Sequence, residues 1–182
     1  MKSLKINLEL SKKIYEIVQD SIELKGCYNN TFNAMSYIAF SEKFNLEDYR
    51  IGYGFLNKPI GNESMFFRHG YIISNKDNSV IDVTACLWGD IKNKCCHYDY
   101  YTFKEYTMDE YTDALIECDG MPALYEVTQD EEISVYNELI KSGMVCNPID
   151  FMDLLNRIYK ERIIEGIYEY NEGKSILCKA CE

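Results

Sequence analysis

Proline occurs only three times in this chain of 182 residues, tryptophan once, histidine twice, and glycine stops at ten. So little proline and glycine leaves no room for a low-complexity tail, while an apolar fraction of 47% and an aromatic fraction of 14% suit a packed globule. The length fits one domain, 1–182, with an ordinary hydrophobic core. Long apolar runs are also missing, since no stretch approaches the roughly 18 to 20 residues that cross a bilayer. The first twenty residues spread their lysines among apolar side chains, with no basic head, apolar run and small-residue cleavage site in series. The expectation is a soluble, cytoplasmic protein with no membrane partner. Positive charge is in deficit: the net charge of −11 repels phosphate backbones, which argues against nucleic acid and favours basic or neutral protein partners. Eight cysteines without an export signal read as reduced thiols.

The apolar pattern divides the chain without internal repeats or linkers. Leu10, Ile14, Ile17, Val18 and Ile22 recur at helical spacing over 7–23, and Lys25-Gly26 ends that stretch. A second helical pattern begins at Cys27, with Tyr28, Phe32, Met35 and Ala39 on one face. From Arg50 the period changes. Residues 50–56, 65–74 and 79–84 read as strands, with Asn75-Lys76-Asp77-Asn78 as the turn of a hairpin, and Tyr98 to Tyr106 offers a further strand. Helices are expected at 107–117, at 129–142 behind a Thr128-x-x-Glu131 capping box and ahead of Gly143, and from Asn147-Pro148 onward with Phe151, Leu154, Leu155, Ile158 and Tyr159 as its stripe. The fold class is α+β: N-terminal helices packed on a small antiparallel sheet, with additional C-terminal helices over 107–170.

Chemistry concentrates in three residues. Thiols attack carbonyls as thiolates, and the unpaired amides of a helix N-terminus favour that form; Cys27 has that place. Gly26 before it lets a substrate backbone come close, and Asn29 and Asn30 just after it are candidates to hold an oxyanion. A free cysteine is more often a small buried hydrophobe, so the case rests on what else gathers. If Ser74 pairs with Ser79, Tyr71 opposes Asp82, His69 opposes Thr84, and all four share a face. His69 and Asp82 are then diagonal neighbours about 7 to 8 Å apart at the backbone, within side-chain reach. An aspartate inside Val-Ile-Asp-Val needs such a partner, because an unpaired buried carboxylate is costly. A carboxylate behind an imidazole fixes its tautomer and stabilises its charged form.

A cysteine opening a helix, a Gly-x-Gly strand, a His-Gly-Tyr-Ile-Ile strand and a Val-Ile-Asp-Val-Thr strand follow one another over about residues 25–90. In this order the chain resembles the papain-like superfamily in its transglutaminase-like branch, where a Cys helix packs on an antiparallel sheet carrying His and then Asp. The resemblance implies a papain-like core, a Cys27-His69-Asp82 triad and no cofactor. That branch commonly continues its histidine with a small residue and tryptophan, and its aspartate with proline. Gly70-Tyr71 and Val83-Thr84 stand there in this chain, so the resemblance does not extend to substrate class.

A weaker candidate is zinc. Cys178-x-x-Cys181 with Cys95 and Cys96, or with His97, has ligand chemistry, but adjacent Cys95-Cys96 is awkward for two ligands of one ion. The tyrosines and acids of 98–113 could form a recognition surface for a basic partner, although packing explains most of them. Two functions therefore stand. One is an enzyme of acyl chemistry on an amide or isopeptide bond of a protein or peptide substrate, a cysteine peptidase or amidase, or an acyltransferase. The other is a non-catalytic acidic binding or inhibitor protein on the same fold, acting on a basic protein.

Overall fold

Asn7 opens the first helix. Its side chain accepts the Leu10 N–H at 3.0 Å, satisfying one of the donors that a helix start leaves over. The computed structural model describes residues 3–22, 26–60, 63–87, 98–117, 125–143 and 148–149. In chain order these form β1 (Leu4–Ile6), α1 (Leu8–Val18) with a short 3-10 turn after it, α2 (Cys27–Phe40), β2 (Tyr49–Ile60), β3 (Glu63–Ser74), β4 (Ser79–Ile81), β5 (Asp99–Tyr106), α3 (Met108–Glu117), α4 (Tyr125–Lys141) and β6 (Pro148–Ile149). No helix among the described residues is long and apolar enough to cross a membrane.

The β3–β4 hairpin takes the register expected from the sequence, Ser74↔Ser79, Ile73↔Val80 and Ile72↔Ile81. Asp77 stabilises its turn by accepting from the Ser79 N–H and hydroxyl, and Asn78 supplies the left-handed residue with φ 53°. β2 and β3 pair antiparallel along their whole length, β2 also pairs β5, β5 pairs β1, and β1 pairs β4. The pairings therefore close on themselves through five strands, with β6 added beside β3.

This corrects the expectation of a simple antiparallel sheet, because β1–β4 and β3–β6 are parallel. A parallel pair needs a long crossover, and α1, α2, β2 and β3 all lie between β1 and β4. With only three residues, β1 is too short to declare a period, and its Leu-Lys-Ile merges with the helical pattern that follows.

Closure gives each strand an inner and an outer face. Leu56, Tyr71, Ile73, Val80 and Tyr100 form one buried cluster, against which Leu4, Ile6 and Phe67 pack. The alternate residues Ile51, Tyr53, Ile72 and Ile81 face the other way, into a second cluster with Ile14 of α1, Met35 and Ile38 of α2, and Tyr111 of α3. Tyr71 fills the inner face only because β2 presents Gly52 and Gly54 to it. A Cβ at Gly52 would lie 2.5 Å from the Tyr71 ring, and one at Gly54 would lie 2.1 Å from the Tyr101 carbonyl oxygen.

Three further expectations change. The strand expected over 79–84 stops at Ile81, because Asp82 turns its side chain to accept the Ala85 N–H and starts a 3-10 turn, Ala85–Leu87. α4 begins at Tyr125, so Thr128 lies inside the helix rather than at its start. Extending a helix by one turn costs far less than nucleating it, which is why starts shift. The reciprocal capping box stands instead at α3, where Thr107 Oγ1 accepts the Glu110 N–H at 3.2 Å and a Glu110 carboxylate oxygen accepts the Thr107 N–H at 2.7 Å. Pro148–Ile149, expected to open a last helix, is the short strand β6; the rest of that helix, with the stripe from Phe151 to Tyr159, lies outside the described residues. Gly143 follows α4 with φ 68°, as expected of a residue that ends a helix.

Candidate functional site

Cys27 is the first residue of α2, with Gly26 as the N-cap. The first backbone bond inside the helix runs from the Asn30 N–H to the Gly26 carbonyl at 2.7 Å. The amides of residues 27 to 29 therefore have no acceptor within the helix and carry its partial positive charge. The thiol is free and half-buried, placing a reactive atom within reach of solvent while the helix behind it packs on the sheet.

His69 lies on the inner face of β3 and Asp82 one residue beyond β4; both are buried, with relative exposures of 1% and 2%. His69 Nε2 is 2.8 Å from Asp82 Oδ2. With Nε2 committed there, Nδ1 is the ring nitrogen left to serve Cys27, whose sulfur lies near enough to act on the charge of the imidazole. The structure thus brings Cys27, His69 and Asp82 together, although 42 and 13 residues separate them in turn.

Every polar atom of Asp82 is engaged. Its N–H donates to Ser11 Oγ at 3.0 Å, Oδ1 accepts the Ala85 N–H at 3.0 Å, and Oδ2 accepts from the Tyr100 hydroxyl at 2.9 Å as well as facing His69. The Cys86 thiol donates to its carbonyl at 3.6 Å. This is how a carboxylate is accommodated in an apolar interior. Ser11 in turn donates to the Asn7 carbonyl at 2.7 Å, so α1 helps fix the aspartate.

These contacts set the protonation of the imidazole. Burial of the ring opposes its charge most strongly. The Asp82 charge, the Cys27 sulfur and hydrogen bonds to both outweigh it, and His69 is pushed up to about 10. The ring is then an imidazolium at neutral pH.

Aromatic side chains wall the thiol. Tyr28 packs on Tyr53, with ring centroids 5.3 Å apart, and the Tyr111 hydroxyl donates to the Tyr28 carbonyl at 3.4 Å. Both phenols are raised from their ordinary range, first by burial and next by the nearby charge of Cys27, so they remain neutral donors. Gly70 makes room for this wall, since a Cβ there would meet the Tyr28 ring at 2.9 Å.

The two asparagines separate in role. Asn30 is buried, and its Nδ2 donates to Thr84 Oγ1 at 3.1 Å, tying α2 to the loop after Asp82. Asn29 is exposed. It lines a concavity of about 250 Å³ with Ser21, Asn30, Phe32 and Asn33, next to the start of α2. Sequence reasoning did not single out Tyr100 or Ser11 for the site. Tyr100 had a usable signal, because a strand pairing with β1 and β2 places it among inward residues, but that pairing has to be known first. The zinc candidates Cys95, Cys96, His97, Cys178 and Cys181 lie outside the described residues. Comparison with protein-family models, characterised proteins and solved structures finds no match for the chain.

Proposed function

We propose that the chain carries out thiol-dependent acyl chemistry on an amide or isopeptide bond, on a core of the papain-like type in its transglutaminase-like branch. The observation that carries this reading is the buried His69–Asp82 pair at 2.8 Å, with the thiol of a helix-opening cysteine near enough to act on the charge of the same ring. In the resting pair the thiol proton sits on His69. The Cys27 sulfur adds to the carbonyl carbon, and the oxygen takes up the negative charge against the amides at the start of α2, with Asn29 alongside. The C–N bond then breaks, and the His69 proton goes to the departing amine, leaving a thioester and neutral imidazole. Water, delivering a proton to His69, releases the acid and restores the thiolate–imidazolium pair. An amine in place of water gives acyl transfer by the same steps. Hydrolysis is the preferred version, because water needs no site of its own. Asp82 reacts with nothing; it positions the ring and balances its charge. The net charge of −11 favours a neutral or basic protein or peptide as substrate.

The test is alkylation of the native protein with iodoacetamide between pH 5 and 8, each cysteine being read by peptide mass spectrometry, alongside His69→Ala. Cys27 should label first at the acidic end and lose that lead in the variant. Inert Cys27 with other cysteines labelled removes the catalytic reading and turns attention to a basic protein partner.

A further inference from the structure

We infer that Tyr100 is a positioning residue of this site, a fourth member that holds the Asp82 carboxylate in the orientation in which it can serve His69. The inference deepens the proposed acyl chemistry and rests on its reading of His69 as the proton carrier.

Tyr100 stands on the inner face of β5, opposite Leu4 of β1 and Leu56 of β2, and is fully buried. Its ring packs edge-on against Tyr71 at 4.9 Å between centroids, so its direction is fixed by packing. From there its hydroxyl reaches Asp82 Oδ2 at 2.9 Å, the same oxygen that faces His69 Nε2 at 2.8 Å. Asp82 Oδ1 is already taken by the Ala85 N–H. The carboxylate is therefore held at three points, and rotation about its Cβ–Cγ bond would break all three at once.

The chemical consequence is a fixed tautomer. A phenol that stays protonated is a permanent donor, and burial together with the Asp82 charge raises Tyr100 well above its ordinary value. With the phenol donating to Oδ2, Asp82 acts as an acceptor there, and His69 presents Nε2–H to the same oxygen. The thiol proton then has one place to go, Nδ1. Among the described residues, the titratable groups that face the imidazole include Asp82 from the loop after β4, Tyr100 from β5, Tyr71 from its own strand, and Cys27 from α2. Of these, Tyr100 alone is a neutral side chain bonded to the carboxylate.

Tyr100→Phe keeps the ring and its packing and removes only the donor. A control comes from the same interior: the Tyr71 hydroxyl bonds Thr102 Oγ1 at 2.8 Å, so Tyr71→Phe removes a buried hydroxyl that has a different partner. Ring nitrogen and proton NMR of His69, assigned against His97→Gln, reads the site without any substrate. In Tyr100→Phe the His69 titration midpoint should fall by about half a unit or more, since a carboxylate free to turn is a poorer counter-charge. Iodoacetamide labelling of Cys27 at pH 6 should slow by about threefold or more, half a unit being that factor in an equilibrium constant. Tyr71→Phe should leave both readings at wild-type values. Should Tyr100→Phe not fold, wild-type protein still decides: His69 must carry its proton on Nε2, with a cross-peak to the Tyr100 hydroxyl proton. An unchanged midpoint in Tyr100→Phe, equal shifts in both variants, or a bare Nε2 overturns the inference. Cys27 that is inert in wild type while the His69 midpoint still depends on Tyr100 would sink the acyl chemistry and leave the positioning role standing.

Discussion

Asn30 and Thr84 meet in the interior, 54 residues apart in sequence, through a hydrogen bond of 3.1 Å from the amide to the hydroxyl. One belongs to the first turn of the helix that begins at Cys27, and the other follows Asp82 by two residues. The bond therefore ties the helix of the nucleophile to the loop of the aspartate. Asn30→Ala leaves the Thr84 hydroxyl without this donor in a buried place, and the expected loss of stability is about 1 to 3 kcal/mol in urea unfolding. The same variant should slow Cys27 alkylation, because the start of α2 is no longer tied to that loop. Thr84→Ser keeps the hydroxyl and should lose less on both counts. A stability loss with unchanged alkylation would make the bond a packing feature alone.

The charge on His69 links stability to pH. Its value in the fold is about 10 and its ordinary value 6.5, so the folded state binds a proton that the unfolded chain has lost between those limits. This stabilisation is fully present below about pH 6.5 and is lost as the pH rises through about 10. Across that window the loss approaches about 1.4 kcal/mol per pH unit, the slope of a single proton. Urea midpoints of wild type and His69→Gln at pH 6, 8 and 9.5 read it as a difference, which removes the contribution of cysteines ionising in both unfolded chains. The gap between the two proteins should narrow as the pH rises. A gap that stays constant would mean that the ring is neutral in the fold.

The parts of this site that could be read from sequence are those joined by a short turn. Asn75 to Asn78 fixes the register of β3 on β4, and register alone brings His69 near Asp82. Cys27 at a helix start was equally legible, from Gly26 and the apolar spacing after it. Tyr100 was not, since β5 reaches Asp82 through its pairing with β1 and β2, and no local signal announces a pairing across most of the chain. The capping boxes make the same point at short range. Thr107-x-x-Glu110 and Thr128-x-x-Glu131 are alike as patterns, and only the first coincides with a helix start. The papain-like assignment rests on the order of parts, and closure of the strands into a ring formed no part of that expectation.

Gly70→Ala should disturb the site from outside the triad. The added methyl would lie 2.9 Å from the Tyr28 ring and 3.4 Å from Thr31 Oγ1, inside a packed face between β3 and α2. Tyr28 is held by Tyr53 on one side and by Tyr111 through its carbonyl, so it cannot retreat without moving the first turn of α2. Overpacking of this kind costs about 1 to 3 kcal/mol. Thermal unfolding reads that cost, and Cys27 alkylation reads the displacement; both should fall. Unchanged labelling would show that the helix start absorbs the methyl without moving the thiol.

Thr107→Ala supplies the opposite case, a change that weakens the fold and leaves the chemistry in place. Thr107 Oγ1 caps α3 through the Glu110 N–H, and loss of a threonine cap costs about 0.5 to 2 kcal/mol. α3 meets the helix of Cys27 through Tyr111, which lies one turn further on, bonds the Tyr28 carbonyl and is held by its own burial against Phe32 and Tyr106. The variant should therefore unfold at lower urea, with the pH dependence of Cys27 labelling unchanged. Thr128→Ala, inside α4 and away from its start, places the better helix former in a helix, so its urea midpoint should match wild type or exceed it. If Thr128→Ala proved the more damaging of the two, the cap would have to be reassigned to α4. If Thr107→Ala altered labelling as well, α3 would be holding the thiol wall in place rather than leaning on it.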